Sequence, residues 1–157
     1  MKSKIIKIVS GGQTGADRAG VDAAMEVGMP YGGWLPKGRM AEDGVVPARY
    51  DAMVEMTRGG YPKRTEQNVI DSDGTVIFSY GKLSSGSALT RRLCKKQDKP
   101  FLYIDLGKET DPEESVNKWV VDHDINVLNV AGSRESKHPG IHDQVVGIIK
   151  RVLVARE

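Results

Sequence analysis

Two loops rich in glycine and hydroxyl side chains are the parts of this chain best suited to chemistry. The first, SGGQTGAD, lies between an apolar run and a helical pattern, and the second, YGKLSSGSALT, has the same setting further along. Small residues leave backbone N–H groups accessible at the start of a helix, where the helix dipole also favours an anion. Both loops are therefore expected to bind a phosphate or a similar oxyanion.

Neither loop matches a more specific phosphate-binding motif, because the chain has neither GxxxxGK[ST] nor GxGxxG. In the first loop, the alternative is a tight turn in which Thr14 caps the helix and Asp17 closes a capping box. At Gly12 a side chain is expected to occupy the place of the anion. The candidate ligand-binding residues of the two loops are Gly11, Gly12, Gln13, Thr14, Gly15, Ser84, Ser85, Gly86, Ser87 and Thr90.

Three further residues are candidates for ligand contact. Trp34 stands beside two glycines and could stack on a planar ring. Arg134 and Glu135 follow a glycine turn, where Arg134 could hold an anion through two hydrogen bonds or could form a surface ion pair. The chain has no GxSxG serine motif that could act with its histidines, and Pro139 interrupts the spacing of His138 and His142. No catalytic residue and no metal ligand are assigned.

Composition excludes several classes of protein. A chain of 157 residues has about the size of one domain, so we expect a single domain over residues 1–157. Its 23 basic and 21 acidic residues leave a charge of +2, which does not favour nucleic acid. No run approaches the roughly 20 apolar residues of a membrane span. A single cysteine, Cys94, allows no internal disulfide and is typical of the reducing cytoplasm.

Apolar runs alternate with helical patterns along the chain, which predicts a parallel sheet covered on both faces. We expect a three-layer Rossmann-like α/β domain with five strands in the order 2-1-3-4-5. Both glycine-rich loops would then meet at the switch point between strands one and three. The segment 36–63 has no assigned element, and we expect it to be ordered and close to the site. The predicted strands are 4–9, 29–35, 75–80, 101–105 and 125–131, and the predicted helices are 16–27, 65–71, 86–98, 111–123 and 141–153.

Several longer stretches resemble one known family. GGQTGADR, GGWLPKGRMAEDG, PARY, RTEQNVIDSDGT, GSALT and LNVAGSRESKHPGI occur in this order and are similar to signatures of the molybdenum cofactor carrier family. That family lies within a Rossmann-like group that includes the lysine decarboxylase-like phosphoribohydrolases. The resemblance implies binding, without chemistry, of the molybdenum cofactor, a pterin that bears a phosphate. It also implies a homo-oligomer, either a dimer or a tetramer.

The related phosphoribohydrolases suggest an enzyme as the alternative. Their PGGxGTxxE motif, laid on the second loop, places its glutamate at Thr90. Threonine supplies no carboxylate for acid or base catalysis, so Glu135 or Asp17 would have to replace it. We therefore favour a carrier or binding protein for a phosphate-bearing small molecule. A nucleotide-sensing module and a nucleoside-monophosphate phosphoribohydrolase remain the alternatives.

Overall fold

The structure, a computed structural model, describes residues 4–155 and has a central sheet with helices on both faces. Within these residues no helix is both long and apolar enough to cross a bilayer. The helices are α1 (Ala16–Val27), α2 (Tyr61–Asp71), α3 (Ser85–Lys96), α4 (Pro112–Asp122) and α5 (Ile141–Val154). The strands are β1 (Lys7–Val9), β2 (Tyr31–Gly32), β3 (Trp34–Leu35), β4 (Met40–Ala41), β5 (Gly44–Val45), β6 (Val54–Glu55), β7 (Gly74–Ser79), β8 (Phe101–Asp105) and β9 (Val127–Gly132).

The main sheet consists of five parallel strands in the order β2-β1-β9-β7-β8. The predicted three-layer Rossmann-like fold is confirmed, but the predicted order 2-1-3-4-5 is wrong. The last strand, β9, lies between β1 and β7, where Leu128 faces Ile8 on one side and Gly74 on the other. If the β9–α5 unit stood at the front of the chain, the order would become 3-2-1-4-5, which is that of the first five strands of a Rossmann sheet.

Each face of this sheet is covered by its own helices. α1, α4 and α5 share one core with the central strands, where Phe78 and Leu128 are fully buried. α2 and α3 pack on the other face, where Val69, Leu93 and Cys94 form a smaller cluster. Cys94 is thus part of this apolar packing. Because helices cover the central strands on both faces, β7 and β9 are mostly apolar runs, and the sequence pattern predicts them.

The segment 36–63 is ordered, as expected, but it contains short strands that the sequence pattern does not predict. β4 and β5 form an antiparallel pair, and β6 pairs with β3 in parallel. Strands of two residues are too short to show a hydrophobic period, so they leave no signal in the sequence. α2 begins at Tyr61, four residues before the predicted start. A second core packs against α1 and contains the buried side chains of Leu35, Val46 and Tyr50.

Replacing Ile149 by alanine is expected to lower the free energy of unfolding by about 2–5 kcal/mol, because it leaves a cavity in the main core. Ile149 is fully buried on α5, whereas Ile70 on α2 is 40% exposed. Ile70→Ala is the matched control and should lower it by less than about 1 kcal/mol. Urea unfolding followed by circular dichroism measures both values. Equal losses in the two variants would contradict this placement of the core.

Candidate functional site

A cavity of about 330 Å³ lies at the carboxyl ends of the central strands, in the size range of small-molecule sites. The loops after β1 and β7 both line it, through Gly11 and Gln13 from the first and Ser84 to Ser87 from the second. The loop after β9 runs between them and contributes Arg134 and Lys137. The two glycine-rich loops therefore reach one cavity, although β9 separates their strands.

The start of α3 forms the most open anion-binding feature at the mouth of this cavity. No side chain caps this helix, and among residues 4–155 no acceptor pairs with the backbone N–H groups of Ser85, Gly86 or Ser87. The ammonium group of Lys137 donates a hydrogen bond to the Ser84 hydroxyl beside them. Three unpaired donors, the positive end of the helix dipole and a lysine therefore lie at the same opening.

The loop after β1 uses most of its donors within the protein. The Gly12 N–H donates to the Ser10 hydroxyl over 3.1 Å, and the Thr14 N–H donates to the Gln13 side-chain carbonyl over 3.0 Å. The N-cap of α1 is Gly15, with no side-chain cap, so the capping box considered for Thr14 is not formed. This loop therefore holds the wall of the cavity in place more than it offers free donors.

Two predicted residues of this loop point away from the cavity. A Cβ on Gly12 would overlap the Leu35 side chain in the second core and lie 3.3 Å from Met53 Cε. The expectation that a side chain there would occupy the place of the anion is therefore wrong. A Cβ on Gly15 would overlap the Ser133 carbonyl group, so this glycine permits close packing against the loop after β9.

A buried ion pair forms the floor of the cavity. Asp17 Oδ2 lies 3.9 Å from Arg64 Nη1, and the two side chains are 12% and 7% exposed. Burial raises the pKa of Asp17 to about 6, although the charge of Arg64 and hydrogen bonds from the Gln13 and Gly132 N–H groups act in the opposite direction. Asp17 is the one carboxylate among the described residues that line the cavity. A carboxylate of this kind can accept N–H groups or exchange a proton near neutral pH.

Arg64 has hydrogen-bonding capacity that the described part of the protein does not use. Its Nη1 donates to the Gly11 carbonyl group, while its Nε has no partner among the described residues. Burial lowers the pKa of Arg64, although the charge of Asp17 acts in the opposite direction. An unpaired buried N–H lowers stability by about 1–3 kcal/mol, which a ligand acceptor would offset.

The aromatic side chain at the cavity is Tyr61 and not the predicted Trp34. Trp34 does not line the cavity, and its indole N–H donates to Asp71 over 2.7 Å. Tyr61 begins α2, is 44% exposed, and lies with its ring centre 5.3 Å from Arg64 Cζ. The sequence reading missed both Tyr61 and Arg64 because it began this helix at residue 65.

The two charged candidates in the loop after β9, Arg134 and Glu135, have different positions relative to the cavity. Arg134 lines the mouth of the cavity, with its Nε 3.8 Å from a Glu42 carboxylate oxygen. Glu135 does not line the cavity, because its carboxylate accepts the N–H groups of Gly140 and His142 over 2.6 and 3.0 Å. It thereby caps α5. Of the two carboxylates considered for catalysis, only Asp17 therefore reaches the cavity.

Thr90 and several unpredicted polar residues complete the wall. Thr90 is buried, and its hydroxyl donates to the Gly86 carbonyl group over 2.9 Å within α3. Asn68 and Asn129 come from helix and strand interiors, where the sequence pattern gave no sign of a site. Within residues 4–155, no group of three or more His, Cys, Asp or Glu side chains is arranged to hold a metal ion.

These features define an α/β binding domain with a permuted Rossmann sheet and a polar cavity at its carboxyl edge. The chain belongs to the circularly permutated YpsA SLOG family, whose model matches residues 8–153. A crystal structure from Syntrophus aciditrophicus SB, named "Putative molybdenum carrier protein", is 47% identical, with a TM-score of 0.90 over 99% of this chain and 97% of that one. The resemblance noted from the motifs is thus confirmed. The curated proteins include no match.

The burial of Asp17 predicts a defined pH dependence of stability. Its pKa in the folded protein, about 6, lies above the ordinary value of 3.8, so the folded state binds more protons between these two pH values. This contribution therefore favours folding below pH 4 and is lost as the pH rises through 6. The free energy of unfolding of Asp17→Asn, minus that of the unchanged protein, should increase from pH 4 to 7 in urea titrations. A difference independent of pH would contradict the assignment.

Proposed function

We propose that this protein binds or carries a phosphate-bearing small molecule, with the molybdenum cofactor as the first candidate. The observation that carries the proposal is the set of unpaired N–H groups at Ser85, Gly86 and Ser87, beside Lys137 and Arg134 at the cavity mouth. Such a helix start binds phosphate without further specialisation. The similar protein from Syntrophus aciditrophicus, which is named as a molybdenum carrier, supports the carrier role.

The residues present fit a phosphorylated pterin better than they fit a bare metal ion. The start of α3 would hold the phosphate, and Tyr61 offers an exposed ring on which a planar heterocycle can stack. Among the described residues no three-ligand metal cluster exists, so the metal would be carried by its own cofactor. A nucleotide presents the same two groups and is the alternative ligand.

Purification from a host that makes the cofactor tests the proposal directly. The protein should copurify with molybdenum and with a pterin that fluoresces after oxidation, in about equal amounts. A second arm titrates the apoprotein with the isolated cofactor and with a panel of nucleoside monophosphates. Tight nucleotide binding without measurable affinity for the pterin would favour the alternative ligand. If no phosphate-bearing compound binds, the proposed function is wrong.

Replacing Lys137 by alanine should weaken binding of the phosphate-bearing ligand roughly three- to tenfold, because an exposed charge contributes on the order of 1 kcal/mol. Lys108 is also exposed but lies outside the cavity, so Lys108→Ala is the matched control and should leave affinity unchanged. Titration calorimetry at low and at high salt measures the effect. The difference between the two variants should shrink at high salt, since screening reduces the effect of an exposed charge.

A hydrolase acting on nucleoside monophosphates is the second candidate function, favoured by the position of Asp17. Its carboxyl group lines the cavity and has a pKa of about 6, suitable for general acid or base catalysis near neutral pH. Incubation with nucleoside monophosphates should then release free base, and Asp17→Asn should abolish the release. Turnover that survives this substitution would remove Asp17 from the reaction, and absence of released base would leave the carrier role.

Self-association, which the family resemblance implies, stays a prediction. Sedimentation velocity of the purified chain, with and without bound ligand, distinguishes a monomer from a dimer or a tetramer. A monomer at all concentrations tested would contradict it.

A further inference from the structure

The two ends of the cavity differ in charge, and this difference restricts the ligand. We propose that the cavity floor, formed by Asp17 and Arg64, selects a ring with adjacent N–H donors beside a carbonyl group. This is the 2-amino-4-oxopyrimidine edge that guanine and pterins share. The inference rests on the proposed function, because the phosphate at the mouth orients the ring towards the floor.

The arrangement of charges sets the direction of the ligand. The mouth presents exposed donors at Ser85 and Gly86 together with Lys137, and it suits an anion. The floor pairs the carboxylate of Asp17 with the guanidinium group of Arg64, so it carries no net charge and attracts a phosphate less than the mouth does. A phosphorylated ligand is therefore expected to leave its phosphate at the mouth and to direct a donor-bearing group inward.

Asp17 has acceptor capacity left for such a group. A carboxylate has about four lone-pair sites. The backbone N–H groups of Gln13 and Gly132 interact with it, and no side chain among the described residues donates a hydrogen bond to it. At least two acceptor sites therefore remain. They match the ring N–H and the exocyclic amino group of guanine or a pterin, whereas the corresponding edge of adenine offers one donor group.

Arg64 supplies the complementary donor beside this acceptor. At 3.9 Å, Asp17 and Arg64 attract each other without a direct hydrogen bond, and Arg64 Nε lacks an acceptor among the described residues. A ring carbonyl group next to the N–H donors would accept from the guanidinium group after a small side-chain adjustment. Donor and acceptor would then be satisfied together, which is how buried polar sites discriminate between similar ligands.

Comparison of ring types tests the inference separately from the proposed function. The full chain is titrated at pH 7.5 with guanosine monophosphate, adenosine monophosphate and neopterin monophosphate. The guanine and pterin compounds should bind at least tenfold more tightly than the adenine compound. Whichever of these two binds more tightly shows whether the ligand is a guanine nucleotide or a pterin. Equal affinities overturn the ring selection and leave the proposed function standing. If none of the three binds, the ring selection is wrong, and the titration with the isolated cofactor decides the proposed function separately.

A change of ligand preference separates recognition by Asp17 from a purely structural role. Asp17→Asn replaces one acceptor by an amide donor, which suits the 2-oxo group of xanthosine monophosphate. Affinity for guanosine monophosphate should fall at least tenfold. The variant should bind xanthosine monophosphate more tightly than guanosine monophosphate, which is the reverse of the preference of the unchanged protein. A structural role would weaken both ligands equally. Asp122→Asn, on α4 and outside the cavity lining, is the control and should change neither affinity.

Arg64 provides a second route if Asp17→Asn does not fold. Arg64→Lys keeps the charge but removes the Nε donor, so it should reduce the preference for guanine over adenine. Gly11→Ala should displace the guanidinium group of Arg64, because a Cβ at this position would overlap Arg64 Nη1. Both variants should retain binding of the adenine compound through the mouth. An unchanged ratio of guanine to adenine affinity in both would overturn the role of Arg64.

Discussion

The pairing of β9 with both β1 and β7 is the constraint on which the rest of the structure depends. Three successive strand ends at one sheet edge bring three loops together, although these loops are distant in the chain. The loop after β1 then packs against the loop after β9, where the Ala16 N–H donates to the Ser133 carbonyl group over 3.0 Å. The cavity exists because the C-terminal unit occupies the place of a first Rossmann unit.

The buried charges at the floor of this cavity lower the stability of the folded protein. Removing two charges from water is unfavourable unless close hydrogen bonds restore what is lost. Asp17 and Arg64 do not form such a bond with each other, and Arg64 Nε has no partner within residues 4–155. Apolar residues would fill the same space with less penalty, and the core around β7 shows that this chain packs apolar residues well. An arrangement that lowers stability locally is typical of sites that meet a ligand.

The fold class and part of the site were predictable from the sequence, and the physical reasons differ. Alternating apolar runs and helical patterns indicate a parallel sheet, but order within the sheet depends on pairing between distant strands such as β9 and β1. The start of α3 was predictable because glycine and serine before a helical pattern indicate free N–H groups. Tyr61 and Arg64 were missed because α2 begins inside a segment rich in glycine and proline. Trp34 was misjudged because its partner, Asp71, lies 37 residues away.

The segment 36–63 fixes the geometry of the cavity mouth from outside. Glu42, between β4 and β5, accepts hydrogen bonds from the Ser136 N–H and from the Thr14 hydroxyl. Although partial burial favours protonation, hydrogen bonds from Ser136 and Thr14 lower the pKa of Glu42, so this link stays charged at neutral pH. It joins the loops after β1 and β9 before any ligand arrives. A mouth ordered in advance requires less binding free energy for the ordering of its loops.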